Sequence, residues 1–195
     1  MKYFKVFFCL ILLLLVGITG CSQKEEVTSI NTVDVKKLKE RSGTYVGNNS
    51  NVVAIVRDLP GGETFKEIDL HNKTLKITYG TKAGSLSEDE TLKYWFDGKN
   101  TLEKNFLYNA IYLAILVPNA QDYSFKVDNQ KFSVSREEME QFISGNIKTL
   151  PDSNKLFDKE KAQQFIDDNK EKINKTVKSA AIREKFFKNV PIVKE

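Results

Sequence analysis

The chain has 195 residues, with 30 basic and 26 acidic side chains, one histidine and two cysteines. This length suits one compact domain with an appendage and is too short for two ordinary domains. With 41% hydrophobic and 29% charged residues, the chain is neither a disordered tail nor a multi-span membrane protein. One histidine and two cysteines leave little for a zinc site or a Cys-His catalytic pair.

The N-terminus has the pattern of a secretory leader. Lys2 and Lys5 accompany an apolar run over residues 6–16, which is shorter than the roughly 20 residues that a membrane-spanning helix needs. The run leads into a segment that resembles the bacterial lipobox, namely Ile18, Thr19, Gly20 and Cys21. That resemblance implies a diacylglyceryl group on the Cys21 sulfur and cleavage after Gly20. Residues 1–20 are therefore predicted to be a lipoprotein signal peptide.

A lipid on Cys21 would hold the mature chain on the extracytoplasmic face of the cell membrane, because two acyl chains attach a protein stably. The alternative is an uncleaved membrane anchor, because residues 6–23 carry no charge. Small and polar residues, however, lower the hydrophobicity of the second half of this segment. Removal of the leader lowers the net charge from +4 to +2. This positive charge is too small to indicate nucleic-acid binding. The predicted partners are the membrane, through the lipid, and a membrane receptor or envelope protein.

After a flexible tether over residues 21–31, residues 32–150 are predicted to form an α+β domain. The spacing of apolar residues and the positions of capping residues predict helices over 33–41, 52–59, 87–95, 102–117 and 136–144. Thr32 is the predicted N-cap of the first of them. Alternating segments predict antiparallel hairpins over 65–79 and 123–134. We expect the hairpins to form a small sheet packed by the central buried helix and by surface helices. Whether they join into one sheet is left open.

The composition becomes rich in Lys, Asp, Glu and Asn from residue 151 onward. Apolar residues at helical spacing still mark one face, so residues 151–195 are predicted to be a charged helical extension that docks on the domain. One or two helices are expected there, with a frayed end past Pro191.

One turn stands out as a candidate interaction surface: Tyr45, Gly47, Asn48, Asn49 and Ser50. A structural interpretation gives the glycine a special dihedral angle and makes Asn and Ser helix caps. The functional alternative is a rigid loop that presents Tyr45, Asn48 and Asn49 to a partner.

The residue types that carry catalysis are nearly absent. His71 is the single histidine and falls in a predicted hairpin turn, and no nucleophile elbow or phosphate-binding loop is found. The acidic pairs, Glu137-Glu138 and Asp167-Asp168, are expected on solvated helix surfaces. We therefore predict no catalytic residue, no metal and no cofactor, and a protein that is not an enzyme.

Residues 44–145 resemble the domain-of-unknown-function family DUF4825 of Gram-positive extracytoplasmic proteins. The resemblance rests on the Tyr45–Ser50 turn, Leu59-Pro60, Asn109-Ala110 with its apolar run, and the second hairpin with Ser135–Glu138. Similar domains occur in proteins with a metallopeptidase region like that of the beta-lactam sensors, which implies a sensory or accessory role. The pattern of the family that it resembles has aspartate where Asn48 stands, so if a carboxylate there binds a cation or a basic group, this chain has lost it.

Together these observations predict a lipid-anchored, non-enzymatic binding, accessory or sensory protein of a Gram-positive cell envelope. Two alternatives remain: a small-ligand-binding lipoprotein whose ligand lies between the central helix and the hairpins, and a carboxylate-based cell-envelope hydrolase.

Overall fold

A computed structural model describes residues 26–81 and 86–195. The predicted signal peptide, the lipobox and Cys21 lie outside the described residues. Within the described ranges, none of the helices is long and apolar enough to cross a membrane.

The described residues form eight α-helices and five strands, so the predicted α+β class is confirmed. In chain order the elements are α1 (Val35–Lys39), α2 (Asn49–Asp58), β1 (Phe65–Asp69), β2 (Thr74–Tyr79), α3 (Glu88–Trp95), α4 (Thr101–Leu116), β3 (Asp122–Val127), β4 (Gln130–Ser135), α5 (Arg136–Asn146), α6 (Ser153–Phe157), α7 (Lys159–Lys178), α8 (Ala180–Asn189) and β5 (Val193–Lys194). Short 3₁₀ turns lie at Gly62–Thr64 and His71–Lys73.

Both predicted hairpins form, and they belong to one mixed sheet with the strand order β1-β2-β3-β4-β5. The central pair, β2 and β3, is parallel, with Ile77 opposite Phe125. Parallel neighbours need a long crossover, which α3 and α4 supply here. A sheet of two antiparallel hairpins is therefore an incomplete description. The predicted frayed end is also wrong, because β5 pairs with β4.

The core lies between this sheet and α4, which is buried from Asn105 to Leu116. The Phe106 ring centroid lies 5.5 Å from that of Phe125 and 5.9 Å from that of Phe132. Aromatic rings therefore fill the space between the central helix and the hairpins, where the small-ligand alternative expected a binding site.

Local capping signals are reliable at two helices and misleading at one. Ser87 and Ser135 each form the predicted capping box, with Glu90 and Glu138 respectively. The first helix instead begins after Asp34, whose carboxylate accepts from the backbone N–H groups of the first turn, and not after Thr32.

The C-terminal segment folds as three helices, where one or two were expected. They bury an apolar face in the same core as the rest of the chain, including Leu156, Phe165, Ile166, Ile173, Val177 and Phe186. Residues 151–195 therefore share the core of the domain, and burial of these side chains stabilises both parts.

The last part of the predicted tether is packed and not free. The Thr28 backbone N–H and hydroxyl both donate to the Glu63 carboxylate, at 2.9 and 2.5 Å. The Thr28 carbonyl accepts from the Gly61 N–H and from the Tyr94 hydroxyl. Ile30 is buried. The flexible-tether prediction is thus wrong for residues 28–31.

Candidate interaction surface

The Tyr45 turn, here residues 43–50, is fixed by contacts to distant parts of the chain. The Thr44 N–H donates to the Leu116 carbonyl at 3.0 Å, and the Val46 N–H donates to Asn119 Oδ1 at 2.9 Å. Both Thr44 and Val46 are buried. The backbone on either side of Tyr45 is therefore held against the C-terminal end of α4.

Tyr45 itself points outward, and its exposed fraction of 59% is the largest among the exposed large hydrophobic residues. Its ring stacks on that of Phe157 in α6, with a centroid distance of 4.2 Å and an interplanar angle of 20°. The close approach of α6 explains the glycine at position 43. Gly43 has a φ of +77°, and a Cβ there would lie 2.7 Å from the Phe157 carbonyl oxygen.

Asn48 is the N-cap of α2, because its Oδ1 accepts the Asn51 N–H at 3.2 Å. An aspartate makes the same cap and favours the positive end of the helix dipole. The structure therefore gives position 48 a capping role, which an aspartate would also fill. Asn48 belongs to the support of the turn, while Asn49 and Ser50 are exposed in the first helical turn.

Gly47 differs from the interpretation that assigned it a special dihedral angle. Its φ is not positive, and a Cβ at this position would meet no atom within 4 Å among the described residues. Gly47 instead leaves open space beside Asn49. This opening continues into a shallow groove of about 500 Å³ lined by Gly47, Asn49 and residues 68–71.

The far wall of this groove contains the single histidine. Nδ1 of His71 contacts Oδ1 of Asp69, and Nζ of Lys76 lies 3.3 Å from Oδ2 of the same carboxylate. The hydrogen bond with His71 is the main cause that lowers the pKa of Asp69 to about 2. The spacing Asp-x-His marks the local pair, but no local pattern places it beside Gly47.

The predicted acidic pairs lie in capping and surface contacts. Glu138 belongs to the α5 capping box, and Asp167 pairs with Lys39 at 2.5 Å. Asp168 accepts from Gln164 at 2.6 Å. The described residues contain no group of three His, Cys, Asp or Glu side chains that could hold a metal ion.

Comparison with protein families identifies the family of this chain. The family model of DUF4825, described as a domain of unknown function, matches residues 38–139, which is about half of the chain. The chain belongs to the DUF4825 family. Neither the curated proteins nor the solved structures contain a match.

The DUF4825 match includes the Tyr45 turn, both hairpins and α4, and it ends inside α5. Phe157, which supports the Tyr45 ring, lies beyond the matched range. Sequence reasoning did not find Phe157 as part of this surface, because only the tertiary fold joins α6 to a turn that is more than a hundred residues away.

Proposed function

We propose that this DUF4825 protein is a lipid-anchored, extracytoplasmic accessory protein of a Gram-positive cell envelope, which acts by binding a membrane receptor or another envelope protein. The contact surface would be the Tyr45 turn. The single observation that supports it best is the exposed Tyr45 ring, which stacks on Phe157 and stands on a backbone fixed by Leu116 and Asn119.

A rigid, exposed tyrosine suits a binding surface for physical reasons. Aromatic rings supply much of the contact energy of protein interfaces, and a side chain that is already ordered loses less entropy on binding. The open groove between Gly47 and His71 lies next to it and offers both apolar and polar contacts. Anchoring at Cys21 is supported by the lipobox and by the apolar run before it.

Crosslinking in intact cells tests the contact surface. The Tyr45→Ala, Asn49→Ala double variant should lose crosslinks to the partner, while Lys175→Ala, an exposed change on α7, should keep them. Unchanged crosslinks in the double variant would remove the turn from the interface. Intact-mass measurement of the purified protein tests the anchor, and an unmodified Cys21 with the leader attached would contradict it.

A second candidate function has one observation in its favour. A cleft of about 600 Å³ lies between α5 and α8, with the rings of Phe142 and Phe186 at its base. Its size falls in the range of small-molecule sites. If this cleft binds a metabolite, thermal unfolding of the protein in a metabolite panel should show stabilisation that Phe142→Ser abolishes.

A further inference from the structure

The Tyr45 turn and the docking site of the N-terminal segment lie at opposite ends of α4. Thr44 contacts Leu116, the last residue of α4, whereas Asn105 in its first turns donates to the Tyr94 hydroxyl, which donates to the Thr28 carbonyl. A helix of 16 residues spans about 24 Å. The two features are therefore separated by most of the length of the helix.

The end of the molecule near Thr28 carries two of the three exposed large hydrophobic residues, Phe96 and Val193, with exposed fractions of 43% and 46%. Phe96 and Ile192, the neighbour of Val193, line the same shallow depression beside the first turn of α4. The ion pair between Arg183 and Glu103, at 3.5 Å, brings α8 to this end as well.

Three exposed lysines lie on the segments that form this end. Lys99, Lys188 and Lys194 are exposed, and none of them has an ion-pair partner within the described ranges 26–81 and 86–195. Two acidic groups also lie at this end. Asp97 accepts from the Lys99 N–H and the Thr101 hydroxyl, and Glu195 binds Lys126 and Lys131. The surface therefore combines exposed apolar side chains with lysines: Lys99 lies beside the Asp97 carboxylate, and Lys188 and Lys194 have no acidic partner among the described residues.

We propose that this end, formed by Phe96, Lys99, Lys188, Ile192 and Val193, rests on the anionic surface of the membrane to which Cys21 is anchored. The inference rests on the proposed lipid anchor. Because Thr28 is docked, only the six residues 22–27 separate it from Cys21, and the seven Cα–Cα steps between the two residues reach at most about 25 Å. That short connection brings the apolar and basic end to the bilayer, where each lysine gains attraction from anionic lipids.

The proposed orientation also determines how far the Tyr45 turn lies from the bilayer surface. With the Thr28 end on the bilayer and α4 along the bilayer normal, the turn lies about 16 Å farther out than Asn105, because eleven residues of helix separate Asn105 from Leu116. A partner would then meet Tyr45 beyond the headgroup layer, so the partner is expected to have a part that extends from the membrane.

A single-cysteine experiment on the full, lipidated protein tests this orientation. The sequence has only Cys9, in the predicted leader, and Cys21, so an introduced cysteine is the one free thiol after processing. Lys93→Cys, an exposed change in the last turn of α3 next to Phe96, and Lys73→Cys are each labelled with a fluorophore and reconstituted in vesicles of phosphatidylcholine and phosphatidylglycerol that carry a headgroup quencher. Lys73 lies in the 3₁₀ turn next to His71, at the Tyr45 end.

We expect several-fold stronger quenching at position 93 than at position 73, and a decrease at position 93 when Phe96→Ser is added or when phosphatidylglycerol is omitted. Equal quenching at both positions, or stronger quenching at position 73, would overturn the proposal. If the Phe96 change instead leaves quenching unaltered and removes crosslinks to a protein, this end is a protein interface and the membrane proposal is wrong. Failure of the anchor is distinct, since unlipidated protein would not float with the vesicles.

Discussion

The ring of Tyr45 stacks on that of Phe157 at a centroid distance of 4.2 Å, and this contact joins the matched family domain to a helix outside the match. Because Tyr45 is largely exposed, the contact buries little apolar surface, and its main effect is to hold the Tyr45 ring in one position.

A double-mutant cycle with Tyr45→Ala and Phe157→Ala measures that contact. We expect a coupling free energy of about 0.5–1.5 kcal/mol, the range for stacked aromatic pairs. Chemical denaturation of residues 22–195, which contain every described core residue, is the measurement. Fully additive effects of the two changes would contradict a supporting role for Phe157.

Asn109 is a buried polar residue whose amide group donates hydrogen bonds to two other parts of the chain. Its Nδ2 donates to the Pro60 carbonyl at 3.1 Å and to the Tyr79 hydroxyl at 3.0 Å. Asn109→Ala leaves both acceptors unpaired in the core, so the free energy of unfolding should fall by about 2–4 kcal/mol. Tyr79→Phe removes one partner alone and should cost about 1 kcal/mol. An equal loss from both variants would show that Pro60 does not depend on Asn109.

Gly61 and Gly47 allow a matched comparison, because only Gly61 has a backbone conformation and surroundings that require glycine. Gly61 has a φ of +84°, and a Cβ there would lie 2.3 Å from the Trp95 ring, whereas Gly47 has neither constraint. We expect Gly61→Ala to lower the free energy of unfolding by at least about 3 kcal/mol and Gly47→Ala to change it by less than about 1 kcal/mol. Thermal and chemical unfolding of the two variants measure these changes in the free energy of unfolding. If Gly47→Ala reduces partner crosslinking without loss of stability, the open space at the turn is functional.

The Glu195 carboxylate should make stability depend on acid pH. Hydrogen bonds from Nζ of Lys131 and of Lys126 lower its pKa to about 2. A carboxyl whose pKa is lowered on folding stabilises the protein above its unfolded pKa of about 4.3, and this contribution is lost as pH falls toward 2.

Thermal unfolding near neutral pH, and then at decreasing pH, should therefore show a lower melting temperature for Glu195→Gln that approaches the wild-type value toward about pH 2. Glu184→Gln, an exposed change on α8, is the control and should show no such convergence. A difference that persists unchanged at the lowest pH would exclude the ionised Glu195 as its source.

Local patterns predict much of this fold because their causes are local. Alternation at Leu75, Ile77 and Tyr79 predicts β2, and the apolar breadth between Asn105 and Leu116 predicts the buried α4. Ser135 followed by Glu138 predicts the start of α5. Each of these features depends on residues within a few positions of one another.

The parts that sequence reasoning missed depend on distant residues. Thr28 is polar and lies in a segment without periodicity, yet Glu63 and Tyr94 hold it. The two-residue strand β5 exists only because Lys131 offers a free edge to Val193. The Tyr45 turn is predictable as a helix start, but its support by Phe157 is not.

The parallel pairing of β2 with β3 also sets an order of events for a chain that is still being synthesised. The middle of the sheet cannot close until residues up to Val127 have left the ribosome, because the partner of Leu75 is Tyr123. Until then the apolar face of the first hairpin stays in contact with water, a condition that favours aggregation and chaperone binding. Completion of β3 therefore ends the interval in which the first hairpin lacks its neighbour in the sheet.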